Sequence, residues 1–165
     1  MLKSLKGGVP ALVLILVMIS GCGYKMAGIE ERANYTLTIA SVYNQSSEPD
    51  MEREIEDVAV NFFSARGALG DNGKSRYIAD LRLKNLSFES RIVTRTGQTG
   101  TSSVSCELEV TIHDRTGKEV FTGTFNSRTV YDLTSDLGKN KRNRTDAVNY
   151  VIRQSLTDFY HDFRP

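Results

Sequence analysis

Nine consecutive residues, Val104-Ser-Cys106-Glu-Leu108-Glu-Val110-Thr-Ile112, alternate apolar and polar side chains without a break. A period of two belongs to an extended strand with one face buried, so this segment must lie on a sheet with a core on one side only. Asp114-Arg-Thr-Gly117 follows, a hairpin turn in which glycine supplies positive φ. The turn leads into a partner strand over Lys118 to Tyr131, with Phe121 and Phe125 on one face. Cys106 falls on the apolar side of the alternation and reads as a buried small hydrophobe rather than a reactive thiol.

The other elements follow from their own periods. Tyr35 to Tyr43 alternates in β-rich residues and predicts a first strand; Asn44 to Glu48 is a polar loop. Pro49 suits the first position of a helix. Met51, Ile55, Val58 and Phe62 recur at four, three and four, one face of that helix, and Gly67 and Gly70 mark its end. Acidic residues from Asp50 to Asp57 sit near its start, where the dipole favours anions. Tyr77 to Leu83 is a second strand whose parity slips toward Leu86 and Phe88, which predicts a bulge or a strand end. Glu89 to Ser103 reads as a polar loop and Asp132 to Arg144 as a basic one. Ala147/Val148, Val151/Ile152, Leu156 and Phe159/Tyr160 trace the stripe of a final helix. The order β-α-β-β-β-α predicts an α+β two-layer sandwich, with two amphipathic helices on a mostly antiparallel four-stranded sheet. A chain of 165 residues suits one such domain, here residues 35–165.

The N-terminus reads as an address. Lys3 and Lys6 precede an apolar run from Val9 to Ile19, too short to cross a bilayer core as a helix, which takes about 20 residues. A basic start, an apolar run of this length and small residues at its end describe a secretory signal peptide. Ile19-Ser20-Gly21-Cys22 resembles the lipobox of bacterial lipoproteins, which implies a signal peptide over residues 1–21 and lipid attachment at Cys22. Residues 22–34 are then a lipidated N-terminus and tether. An acylated terminus with two or more chains is stably anchored. Gly23 rather than Asp after the cysteine implies, by the family rule, sorting to the outer membrane, with the domain on the periplasmic side. With Cys22 acylated, Cys106 has no partner for an intramolecular disulfide.

Composition excludes more than it selects. With 21 basic against 20 acidic side chains, overall charge points to neither nucleic acid nor a membrane surface. The two histidines, His113 at a strand end and His161 in the last helical turn, join no recognisable nucleophilic or metal-binding pattern. No cofactor and no metal ligands are expected, and no enzymatic activity. The distribution of charge says more. Between Glu89 and Glu107 the only charged residues are Arg91 and Arg95; between Asp136 and Asp146 stand Lys139, Lys141, Arg142 and Arg144. Both segments adjoin long strands and could project from one end of the sheet. Such a cluster concentrates anions and can bind phosphate. The export signal argues against nucleic acid as the anion.

At this point the chain resembles the LPS-assembly lipoprotein family, LptE. The resemblance rests on Cys22-Gly23-Tyr24, on Asn44 and Ser47-Glu48-Pro49-Asp50-Met51-Glu52 after the first strand, and on Arg95-Thr-Gly97-Gln98-Thr99. A β-β-α ending with a basic stretch before the last helix completes it. It implies a plug and assembly factor inside the LptD-type outer-membrane β-barrel, and binding of lipopolysaccharide for delivery to the cell surface. Carried over by position, the family's basic contacts fall on Arg95 and on Lys139, or Lys141 in its place. Arg91, Arg142 and Arg144 are candidates from charge alone. The alternatives are a lipid-anchored scaffold or binding protein of another envelope complex and a secreted hydrolase.

Overall fold

The computed structural model describes residues 32–71, 73–93 and 100–165, with the backbone alone over 91–93. The expected signal peptide, Cys22 and the rest of the expected tether before Arg32 lie outside the described residues. The elements are β1 (Leu37–Asn44), α1 (Met51–Ala65), β2 (Tyr77–Val93), β3 (Gly100–Asp114), β4 (Glu119–Leu133) and α2 (Leu137–Asp162). The sheet order is β1-β2-β3-β4; β1 runs parallel to β2, and the remaining pairs are antiparallel. Both helices cover one face. This is the expected α+β two-layer arrangement in the expected order.

The alternation in β3 does what its period requires. Val104, Cys106, Leu108, Val110 and Ile112 are all buried against the helices. Gly117 takes φ 82° in the following turn, where the Asp114 carboxylate accepts from the Thr116 and Lys118 N–H groups. α1 buries Ile55, Val58, Ala59, Phe62 and Phe63, and α2 buries Ala147, Val148, Val151, Ile152, Ser155, Leu156 and Phe159. At one end of the core Tyr35, Tyr77, Phe121 and Phe163 pack mostly edge to face, with centroids 5.0–6.3 Å apart. That geometry suits the ring quadrupole.

The slip in β2 is a bulge. Leu83 pairs with Leu108 and Asn85 with Glu107, leaving Lys84 as the extra residue. Since side chains alternate every residue, this one insertion lets both Leu83 and Leu86 face the core.

Three expectations need correction. The segment from Glu89 to Ser103 is not a loop throughout: β2 continues to Val93 and β3 begins at Gly100. Its hydroxyl-rich composition resembles a loop, but in the described part the Ser102 hydroxyl donates to the Glu89 carbonyl at 3.2 Å and the Ser103 hydroxyl accepts from Arg128 at 2.8 Å. Pro49 is not the first helical residue; it precedes Asp50, which sits at the N-cap in the left-handed region at φ 56°. The basic segment before the last helix is not a loop either. α2 starts at Leu137, so Lys139, Lys141, Arg142 and Arg144 are helical. The carboxylate of Asp136 caps it by accepting from the Lys139 N–H at 3.0 Å. Asn140 adds a clasp: its amide donates to the Thr134 carbonyl at 2.7 Å and accepts from the Thr134 N–H at 2.7 Å. These turns have no apolar stripe, so their periodicity is silent in the sequence.

Candidate functional site

β2 and β4 end, and β3 begins, at one end of the sheet. Arg91 pairs in register with Thr101, which pairs in turn with Asp132, five residues before α2 begins. The Arg91 end of β2 and the approach to α2 therefore lie at the same end of the sheet. Of the candidate residues, Cys22 and Arg95 lie outside the described residues, and Arg91 is placed by its backbone alone.

The helical cations divide into two groups. Lys139, Lys141 and Arg142 are exposed on the first two turns of α2. No acidic residue stands in the first turn, although a helix N-terminus ordinarily favours anions. The Asp136 carboxylate meets the positive end of the dipole at the Lys139 N–H, and the exposed ammonium and guanidinium groups of the next two turns supply the cations of the site. Leu137, 84% exposed, occupies the first helical position beside them.

Arg144 behaves differently. Its Nη2 donates to the Glu48 carboxylate at 2.7 Å, and its guanidinium lies 4.1 Å from the centre of the Phe88 ring. It ties the loop before α1 to α2 and to the floor of β2. Its place in the basic run suggested a ligand contact; the structure gives it a strut. The Glu48 side of the tie was not read from sequence, because the partners are 96 residues apart. Asn44 shapes that loop, accepting from the Ser46 N–H at 3.0 Å and donating to the Glu48 carbonyl at 2.7 Å.

Beyond Asn44, β1 no longer accompanies β2, and a groove opens between the start of α1 and α2. It has a volume of about 610 Å³ and is lined by Pro49, Met51, Leu86, Phe88 and Val148, with Glu48, Asp50, Glu54, Lys141 and Arg144 around them.

The face of the sheet away from the helices is mostly polar, with Tyr43, Val120 and Val130 as exposed apolar exceptions. Arg82 and Lys84 meet Glu109 at 3.0 and 2.7 Å. The Lys84 bond foremost, with help from Arg82, holds the Glu109 carboxyl below its ordinary range. Arg128 donates to Glu89 at 2.7 Å and to Ser103 at 2.8 Å. Ser41, Asp80 and His113 also meet on this face: the Ser41 hydroxyl donates to one Asp80 oxygen, and His113 Nε2 lies 3.3 Å from the other. The three residue types are those of a hydrolytic triad, but the carboxylate sits between hydroxyl and imidazole. His113 is therefore not placed to take the serine proton, which the triad requires. Among the described residues no three His, Cys, Asp or Glu side chains are grouped to hold a metal.

No protein-family model matches the chain, and no curated protein matches it. Similar solved structures include rare lipoprotein B from Shewanella oneidensis, 17% identical and covering 74% of this chain and 92% of its own, with a TM-score of 0.42. The PelC dodecamer protein from Paraburkholderia phytofirmans is 16% identical over 76% of this chain and 88% of its own, at a TM-score of 0.45. A minor lipoprotein from Acinetobacter baumannii is 12% identical over 72% and 86%, at 0.41. The chain is thus similar in structure to bacterial lipoproteins, at a distance that identifies no family.

Proposed function

We propose that this chain is an outer-membrane lipoprotein of the LptE kind. In this reading it is anchored through Cys22 on the periplasmic side, seated within an LptD-type β-barrel, and binds lipopolysaccharide for delivery to the surface. The observation that carries it is the convergence at one sheet end of the Arg91 backbone with the exposed Lys139, Lys141 and Arg142. Lipid A phosphates are anionic, and clustered guanidinium and ammonium groups bind phosphate through charge-assisted hydrogen bonds. The exposed Leu137 gives the same tip an apolar contact for an amphiphilic ligand. The open sheet face, with its hydroxyls and cross-strand ion pairs, suits the polar interior of a large barrel.

Binding of lipopolysaccharide to the Arg95→Ala, Lys139→Ala double variant tests the ligand half. Affinity is expected to fall about tenfold, with a shallower dependence on salt; unchanged binding would overturn it. Co-purification tests the plug. A stable one-to-one complex with a large outer-membrane barrel supports it, and its absence favours a scaffold of another envelope complex.

A further inference from the structure

The groove beside the Arg144 strut has a chemistry of its own. Its walls are apolar where Met51, Phe88 and Val148 meet over the buried Leu86. Its volume, about 610 Å³, lies within the range of small-molecule sites. The space exists because β1 ends at Asn44 while β2 runs on to Val93. α1 begins only at Met51, so the strip of sheet under Leu86 and Phe88 lies past its first turn.

The charges around it set the kind of ligand. Glu48 and Arg144 satisfy each other at 2.7 Å, which leaves Lys141 on the α2 side and Asp50 and Glu54 on the α1 side. A purely anionic headgroup would meet two carboxylates, and a purely cationic one would meet Lys141. A headgroup with both a phosphate and an ammonium matches both sides, and the apolar floor suits a hydrocarbon chain. We propose that this groove binds one acyl chain of a zwitterionic phospholipid of the ethanolamine type, with its phosphate toward Lys141 and its ammonium toward Asp50 and Glu54. The site shares Lys141 with the cationic tip but adds the carboxylates of Asp50 and Glu54 and an apolar floor, and it requires neither a barrel nor lipopolysaccharide.

The full chain in a non-ionic detergent, titrated with three single-chain amphiphiles and followed by native mass spectrometry, tests the proposal. The probes are a lysophosphatidylethanolamine, a lysophosphatidylglycerol and an alkyl trimethylammonium of equal chain length. One equivalent of the ethanolamine lipid is expected to bind in preference to the other two. Thr145, exposed on the groove's α2 wall, can be enlarged without touching the core. Thr145→Trp is expected to abolish the adduct, while Lys118→Ala at the opposite end of the sheet leaves it intact. Glu54→Gln is expected to cut the preference for ethanolamine over glycerol by about three- to tenfold. Equal binding of all three amphiphiles, or an adduct undiminished in a folded Thr145→Trp protein, would overturn the proposal. These outcomes are scored without reference to the lipopolysaccharide and barrel tests, so each reading can fail alone.

Discussion

Arg144 connects two elements with one guanidinium, and its worth can be measured. The pair with Glu48 is partly exposed, and such pairs contribute about 0–1 kcal/mol; the contact with Phe88 adds about 0.5–1 kcal/mol. Arg144→Ala is therefore expected to destabilise the fold by about 1 kcal/mol in urea titration. Arg144→Lys should recover only part of that loss, because an ammonium cannot stack flat on the ring. Tyr35 presents the opposite case. Its ring packs against Tyr77 and Phe163, yet its buried hydroxyl has no hydrogen-bond partner among the described residues. Burial, and secondarily Tyr160, push that hydroxyl's pKa well above the tyrosine range. Removing a buried donor that makes no bond recovers its desolvation cost, about 1–3 kcal/mol at most. Tyr35→Phe is expected to leave thermal stability unchanged or higher; a loss would show that the hydroxyl does find a partner. Neither feature is readable from a linear chain, since both depend on what sits opposite.

Among the elements, β2 is the clearest case of sequence and structure agreeing. Leu81 and Leu83 keep one parity and Leu86 and Phe88 the other, and only an extra residue lets both sets face the helices. Deleting Lys84 would put Leu81, Leu83, Leu86 and Phe88 on one strict alternation, so the strand could pair with β3 in the same register without a bulge. The Lys84 deletion and Lys84→Ala, both of which remove the ion pair to Glu109, are expected to retain cooperative unfolding by circular dichroism, whereas deleting Ser87, which puts Leu86 and Phe88 on opposite faces, is expected to weaken it. α2 shows where pattern reading stops. Its C-terminal half carries an apolar stripe and was legible. Apart from the exposed Leu137 its first turns are polar, since they extend beyond the start of α1, which faces Arg144 and Thr145 across the groove. What makes them helical is the Asp136 cap and the Asn140 clasp on Thr134, contacts without a periodic signature. The difference bears on the candidate site, because a helix fixes the spacing of Lys139, Lys141 and Arg142 where a loop would leave it free.

At the scale of the whole molecule, stability should respond to alkaline pH through the core. Burial pushes the Cys106 thiol up to about 12, against a smaller downward pull from Ser155. An unfolded thiol ionises near pH 8.5, so above that pH the unfolded chain releases a proton that the folded chain retains. Stability is therefore whole below about pH 8.5 and falls as pH rises toward 12, by about 1–2 kcal/mol at pH 10. Cys106→Ala is expected to be less stable at neutral pH yet to lose less between pH 8 and 10, as read by urea midpoints. The order of elements, the buried face of β3, the hairpin at Gly117 and the bulge in β2 are properties of the sequence itself. Each rests on a period of two or 3.6, or on a backbone angle, and these act between near neighbours. The tertiary structure alone decided that the strands beside Arg91 and the cations of α2 share one end of the sheet in register. It also decided that Arg144 is spent on Glu48 and Phe88, and that a groove opens where β1 stops short of β2. Those outcomes depend on which residues, tens of positions apart, come within a few ångströms, and only the packing of two layers determines that.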